Sequence, residues 1–276
     1  MTVLQALILG IVQGLTEFLP VSSSAHLVFV PALMRIPSSV PFDTLLHLGT
    51  LLAVIGYFGK DVAALVKAFF LSLADIPGKR FGRGLREDPF KRLAWLLIIG
   101  SIPAGVLGYF LKRFFESLFH SVAATALLLI VTGIILWFAD RTRRGNKTAS
   151  DLTLADGLAI GLAQAAAIAP GISRSGATIS AGLFLGLEGR AAARFSFLLS
   201  IPAILGATVL QLKGISAGFH LSAGVFLAGL ISSFVCGLLA IRFMMKVIQK
   251  KSLTVFAYYC WLAGGVFLAL SLLHVI

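Results

Sequence analysis

Charge is what this sequence has least of. Only 12% of its 276 residues are Asp, Glu, Lys or Arg, about half the share of an ordinary globular domain. Just 11 of them are acidic. So thin a set of charges cannot cover a water-soluble surface of this size, which excludes a soluble enzyme and a disordered chain alike. Cysteine is nearly absent as well. Cys236 and Cys260 sit inside apolar runs with no ligand spacing around them, which excludes a disulfide scaffold and leaves both as small core hydrophobes. The first residues, Met1 to Leu9, have no basic stretch and no cleavage signal comes after them, so they are read as mature structure.

What is present is hydrophobic, 58% of the residues, with a mean hydropathy of +0.99. A membrane-spanning helix needs about 20 mostly apolar residues. Six segments meet or approach that length: 44–58, 93–111, 122–139, 195–212, 223–245 and 253–273. Two further stretches are interrupted, 3–36 at Pro20 and Ser22–Ser24, and 152–187 at Pro170-Gly171 and Ser173-Arg174-Ser175. Each reads as two short helices with a polar tip, a re-entrant hairpin, because irregular backbone at membrane depth must be covered by protein or line a wet cavity. The expectation is an all-α polytopic membrane protein, one membrane domain over residues 1–276, with six transmembrane helices plus two re-entrant helical hairpins.

The net charge of +12 fits that map better than it fits nucleic acid, which is excluded as a partner. Placing residues 59–92, 140–151, 188–194 and 242–252 on one side collects eighteen of the 23 Lys and Arg, among them Arg143, Arg144 and Lys251. Arg35, Lys112, Arg113 and Lys213 face the other side, and Arg174 alone lies within a membrane segment. Cytoplasmic loops are rich in Lys and Arg, so the crowded side is cytoplasmic. The first hairpin then enters from outside and the second from the cytoplasm. That makes repeat halves of approximately 1–140 and 151–276 with opposite orientation. Identities at an offset of 151 agree: Gly10 with Gly161, Gln13 with Gln164, Ser22 with Ser173 and Ser24 with Ser175. At 153, Phe42, Leu45 and Leu46 match Phe195, Leu198 and Leu199. The reading is an inverted-topology duplication.

Ionisable groups are costly inside a membrane and usually mark a site. Glu17, His26 and Arg174 lie in or beside the two tips, which an inverted repeat brings together near mid-membrane. Gln13 and Glu17, four apart, share a helix face. Ser22, Ser23 and Ser24 at one break, and Gly171, Ser173, Ser175, Gly176 and Thr178 around the other, open new helices whose free N–H groups attract phosphate. With Arg174, which can grip two phosphate oxygens at once, they form a cradle for a diphosphate. Simpler roles compete: the serines as helix caps, Glu17 and Arg174 as a structural ion pair, His26 as a core histidine. For Asp43 an N-cap, for His47 a helix residue on the same face, for Glu116 and His120 loop positions, and for Asp61 a partner of cytoplasmic lysines are the preferred readings. Residues 79–92 read as a headgroup-facing loop.

The Gln-x-x-x-Glu start at Gln13, the Pro-Val-Ser-Ser-Ser-x-His run from Pro20 to His26, and Pro-Gly-Ile-Ser-Arg-Ser-Gly-Ala-Thr from Pro170 to Thr178 together resemble the undecaprenyl-pyrophosphate phosphatase family, also called bacitracin-resistance proteins. The resemblance covers essentially the whole chain. It departs at Gln13, where the family also uses Glu, so one carboxylate of the usual acidic pair is missing. The resemblance implies a membrane phosphatase dependent on a divalent cation, Mg2+ or Ca2+, held by Glu17. It implies hydrolysis of a polyprenyl diphosphate to the monophosphate at the outer face of a bacterial cytoplasmic membrane, recycling a lipid carrier for cell-wall synthesis. In such a site Arg174 and the amides from Ser173 onward hold the phosphates, and Glu17 binds the cation or acts as base. Ser23 or a water attacks, and His26 serves as general acid or base, with Ser23 and His26 expected in contact. The alternative is a secondary transporter or lipid-phosphate flippase using the same anion site, since broken helices in inverted repeats are also a transporter signature. The sequence leaves the nucleophile open among Ser23, His26 and water, and a homodimer is among the assemblies it allows.

Overall fold

The computed structural model describes residues 1–36, 39–142, 145–215, 222–250 and 252–276. Arg143, Arg144 and Lys251, assigned by their charge to the cytoplasmic side, lie outside them, as does the side chain of Lys213. Among the described residues every element is helical: α1 (Val3–Phe18), α2 (Ser23–Met34), α3 (Val40–Tyr57), α4 (Gly59–Ala74), α5 (Phe81–Glu87), α6 (Pro89–Phe110), α7 (Lys112–Phe119), α8 (Val122–Arg141), α9 (Leu154–Ala166), α10 (Arg174–Phe184), α11 (Gly189–Ile215), α12 (Ala223–Lys250) and α13 (Thr254–Leu272). The chain is an all-α polytopic membrane protein. Helices α6, α8, α11, α12 and α13 are long and apolar enough to cross a bilayer, and α3 with α4 make a sixth apolar path that bends by 87° at Phe58. Their outward faces carry large apolar side chains such as Phe110, 76% exposed, which suits lipid as the neighbouring solvent.

The two interrupted stretches are the short pairs α1/α2 and α9/α10. Helix α1 stops because Leu19 precedes Pro20, whose ring pushes its neighbour out of the helical region; Leu19 is extended at φ −75° and ψ 143°. Helix α1 packs along α12, and α9 packs along α6. Both contacts are backbone-close. A Cβ on Gly10 would come 2.6 Å from the Gly229 carbonyl oxygen, and one on Gly161 would come 2.8 Å from Gly100 Cα, so neither position can hold a larger residue without moving a helix. Helices α8 and α13 pair elsewhere in the bundle. The largest buried cluster, with Phe18, Phe29, Phe195 and Phe197 among its members, lies under the two short pairs and fixes their tips.

Three readings need correction. Residues 79–92 are not a loop: α5 and the start of α6 fill most of the stretch, and α6 is tied back to the end of α4 by Lys91 to Asp75 at 2.5 Å and by the Trp95 indole N–H donating to Ser72 Oγ at 2.9 Å. Asp61 pairs with Arg194, at 2.9 Å, and not with a lysine, because a guanidinium reaches two carboxylate oxygens at once. Glu116 is in α7, where it faces Lys112 one turn away, while His120 caps that helix.

Candidate active site

The two tips touch. At the first, Ser22 is the N-cap of α2, its hydroxyl accepting from Ala25 N–H at 3.3 Å. Ser22 holds φ at 66°, a left-handed conformation that costs a non-glycine residue about 1–2 kcal/mol and turns the chain sharply from Pro20 into α2. At the second, Gly171 has φ +100°, and a Cβ there would come 2.7 Å from Leu128 Cβ, so only glycine fits. Ser173 caps α10 by accepting from Gly176 N–H at 3.1 Å. Across the junction Gly171 N–H donates to Ser24 Oγ at 3.4 Å, and Ser175 Oγ donates to the Leu19 carbonyl at 3.0 Å. Thr132 of α8 braces the second tip, donating to the Gly171 carbonyl and accepting from Ser173 N–H.

Glu17 is the hub of this junction. It is 6% exposed. One carboxylate oxygen accepts from Gln13 Nε2 at 3.0 Å and from Ser23 Oγ at 2.6 Å. The other accepts from Arg174 Nη2 at 3.0 Å, while Arg174 Nη1 donates to the Ser196 carbonyl at 3.2 Å. His47 approaches from α3, with Nε2 3.7 Å from the same oxygen that holds Ser23. The structure therefore gathers Gln13, Glu17, Ser22, Ser23, Ser24, Gly171, Ser173, Arg174 and Ser175 at one place. Gly176 and Thr178 sit a step back: the amide of Gly176 is used in the cap, and Thr178 Oγ1 donates to the Arg174 carbonyl at 2.7 Å and meets Ser196 Oγ at 2.6 Å.

His26 departs from the expected contact. Its Nδ1 lies 2.8 Å from the Ser22 carbonyl and its Nε2 lies 2.6 Å from the Tyr259 hydroxyl. A carbonyl can only accept, so in the neutral ring Nδ1 carries the proton and Nε2 accepts from Tyr259. The Tyr259 ring also stacks on the imidazole, 5.8 Å between centroids. Ser23 is turned the other way, to Glu17. Spacing along α2 would let residues 23 and 26 share a face, but each side chain finds a stronger partner outside it.

Sequence reading missed four neighbours. His47 reads in sequence as a plain helix residue, yet as an ionisable group in an apolar run it meets the same criterion as Glu17. Asp43 is not the N-cap of α3: Ser39 is, and Asp43 lies in the first turn, offering its carbonyl to His47 Nδ1 at 2.7 Å. Thr132 and Ser196 are single polar residues in apolar helices, a weak signal. Tyr259 gave none, being 233 positions from His26.

The arrangement offers an ionised pair, a hydroxyl held by a carboxylate, and two helix starts. Among the described residues the backbone N–H groups of Ser23, Ser24, Arg174 and Ser175, in the first turns of α2 and α10, have no protein acceptor. Such groups bind anions, and the partial positive ends of both helices add to the attraction. The arrangement suits a phosphate-type anion.

Comparison with known proteins bears on the family. Residues 6–266 match the family model described as "Bacitracin resistance protein BacA". An undecaprenyl-diphosphatase of Methanobrevibacter smithii is 48% identical over 275 residues, covering 99% of each chain. One of Methanosphaera stadtmanae is 47% identical over 271 residues, 98% of each, and one of Syntrophotalea carbinolica is 43% identical, covering 98% of this chain and 100% of its own. The chain belongs to the bacitracin resistance protein family. None of these relatives is named as a transporter, so the flippase alternative gains no support.

Proposed function

We propose that this protein is an integral membrane phosphatase that hydrolyses undecaprenyl diphosphate, or a closely related polyprenyl diphosphate, to the lipid monophosphate and inorganic phosphate. The observation that carries the reading is Ser23 Oγ, 2.6 Å from Glu17, beside Arg174 and two free helix starts. Binding alone would need the cations and amides; a hydroxyl held by a buried carboxylate adds a nucleophile and its base. In this reading the diphosphate displaces the Arg174 fork from Glu17 and takes it for its own oxygens. Ser23 Oγ then attacks the terminal phosphorus, Glu17 accepts its proton, the bridging P–O bond breaks, and the lipid monophosphate departs. Water hydrolyses the phosphoserine by the same geometry and restores the hydroxyl.

A single guanidinium cannot balance the several negative charges of a diphosphate, and a divalent cation fits the shortfall. Mg2+ is typically held by one or two carboxylates, with the rest of its shell from substrate phosphates and water. Glu17 and the buried Gln13 Oε1, which has no hydrogen-bond donor among the described residues, suit that pattern better than the six to eight oxygens of a Ca2+ cage. Bound there, the ion would neutralise phosphoryl charge. Purified protein in detergent should release phosphate from lipid diphosphates far faster than from monophosphates, and chelator should abolish release until Mg2+ is restored. Equal turnover in chelator would remove the cation from this reading, and no release at all from diphosphates would remove the phosphatase.

His26 and Tyr259 act as support for the first tip: the imidazole N–H holds the carbonyl of the strained Ser22, and Tyr259 holds the imidazole. Tyr259→Phe removes one hydrogen bond at a half-open position, worth about 0.5–1.5 kcal/mol. The expected result is a fall in kcat of about 2- to 10-fold with KM nearly unchanged. An unchanged kcat would free the tip from that pair.

We infer that the site opens to the extracytoplasmic side of the cytoplasmic membrane; the charge asymmetry of the loops supports this reading. In intact cells Lys112→Cys should react with a membrane-impermeant thiol reagent, and Gly82→Cys should react only after the membrane is opened. Reversed labelling would overturn the orientation. The exchanged packing of α1 on α12 and α9 on α6, with the sequence-matched Gly10 and Gly161 at the contacts, supports the inverted duplication.

A further inference from the structure

Away from the tips, the last turns of α12 meet the end of α3 and the start of α11 around a cleft of about 580 Å3. Arg190 comes from α11, Tyr57 from α3, and Arg242, Lys246 and Gln249 from α12. Five other cations of this end of the protein have partners: Arg194 has Asp61, Lys91 has Asp75, Arg83 has Glu87, Arg92 reaches the Ser150 and Leu152 carbonyls, and Arg141 lies over the Trp137 ring at 3.1 Å; Lys79, Arg80 and Arg86 are unpaired among the described residues but do not line the cleft. Arg190, Arg242 and Lys246 have no carboxylate within ion-pair distance among the described residues. Three like charges gathered at one cleft repel one another unless an anion lies between them.

The cleft is also graded along α12. Leu238 and Leu239 line the end toward the middle of the membrane, and Arg242, Lys246 and Gln249 succeed them at one-turn steps toward the helix end. Apolar below and cationic above is the profile of a lipid, with acyl chains against the leucines and a phosphate at the cations. The Tyr57 hydroxyl and the Gln249 amide oxygen add neutral hydrogen-bonding groups at the rim.

We propose that this cleft is a binding site for the headgroup of an anionic phospholipid of the cytoplasmic leaflet, separate from the diphosphate site. The leaflet assignment rests on the charge-based orientation of the helices, whereas binding itself does not.

Native mass spectrometry of the protein in detergent, titrated with phosphatidylglycerol or phosphatidylcholine, reads binding without reference to sidedness. The wild type should favour phosphatidylglycerol by about 10-fold or more, given the attraction exerted by each Lys or Arg near an anionic lipid surface. Arg190→Gln/Arg242→Gln/Lys246→Gln should reduce that preference to near unity. The control Lys79→Gln/Arg80→Gln/Arg86→Gln, which removes the same charge from another part of this end, should keep it. Leu239→Trp, which fills the apolar end and leaves every charge, should also weaken it several-fold. Phosphate release from a water-soluble short-chain diphosphate should stay within about twofold of wild type in all of these variants, showing that they fold. Equal loss in the two triple variants would reduce the preference to net charge and overturn the site. Displacement of the lipid by millimolar inorganic phosphate, or full retention in Leu239→Trp, would make it a site for soluble anions and overturn the lipid assignment.

Discussion

Arg174→Lys is expected to lower kcat by about 10²- to 10³-fold, the range seen when one preorganised donor to a developing anion is lost. The guanidinium works through two nitrogens. Nη2 holds Glu17 at 3.0 Å and Nη1 holds the Ser196 carbonyl at 3.2 Å, so the plane of the fork is fixed before substrate arrives. Lysine keeps the charge and can still neutralise Glu17, but it is a point donor on a flexible stem and cannot keep both anchors or grip two phosphate oxygens in one plane. The conservative replacement is also the cleaner experiment. Arg174 is 15% exposed at its side chain, and Arg174→Ala would leave the buried Glu17 unpaired, a loss of about 3–5 kcal/mol that could unfold the junction. Phosphate release by a variant that elutes as a folded particle decides the matter. Turnover near wild type would make the Arg174–Glu17 pair a structural one.

The positions of both helix breaks were legible because their causes are local. Proline at 20 and 170 cannot continue a helix, Gly171 permits a positive φ, and a serine just beyond can cap the next helix. The membrane helices were legible from length and hydropathy. Residues 79–92 were not, since α5 is only seven residues long, carries three charges and two glycines, and packs against α6. Within the site, the spacing of Ser23 and His26 suggested contact, but spacing fixes only where a side chain starts. Where it ends depends on partners from distant helices, Glu17 of α1 for one and Tyr259 of α13 for the other. His47 carries the same signal as Glu17, an ionisable side chain in an apolar helix, but its partner Glu17 lies on another helix and is invisible to spacing.

That geometry changes which residues should behave as a unit. Ser23 and Glu17 share a hydrogen bond of 2.6 Å, so removing either the attacking oxygen or its proton acceptor disables the same step. Ser23→Ala and Glu17→Gln are each expected to lower kcat by about 10²-fold or more, the contribution of a positioned acid or base. Glu17→Gln should fall further than Ser23→Ala, because it also strips the counter-charge from Arg174 and leaves its fork ungoverned. The double variant should be scarcely worse than Glu17→Gln alone, as residues serving one step are strongly non-additive. Ser23→Ala with His26→Ala should instead multiply their losses, since the imidazole is engaged with Ser22 and Tyr259 and has no bond to Ser23. Steady-state phosphate release by these variants and the wild type, all at saturating lipid, separates the two patterns. A mild Ser23→Ala beside a severe Glu17→Gln would assign the attack to a water that Glu17 orients, and additive losses between Ser23 and Glu17 would reduce the serine to a phosphate ligand.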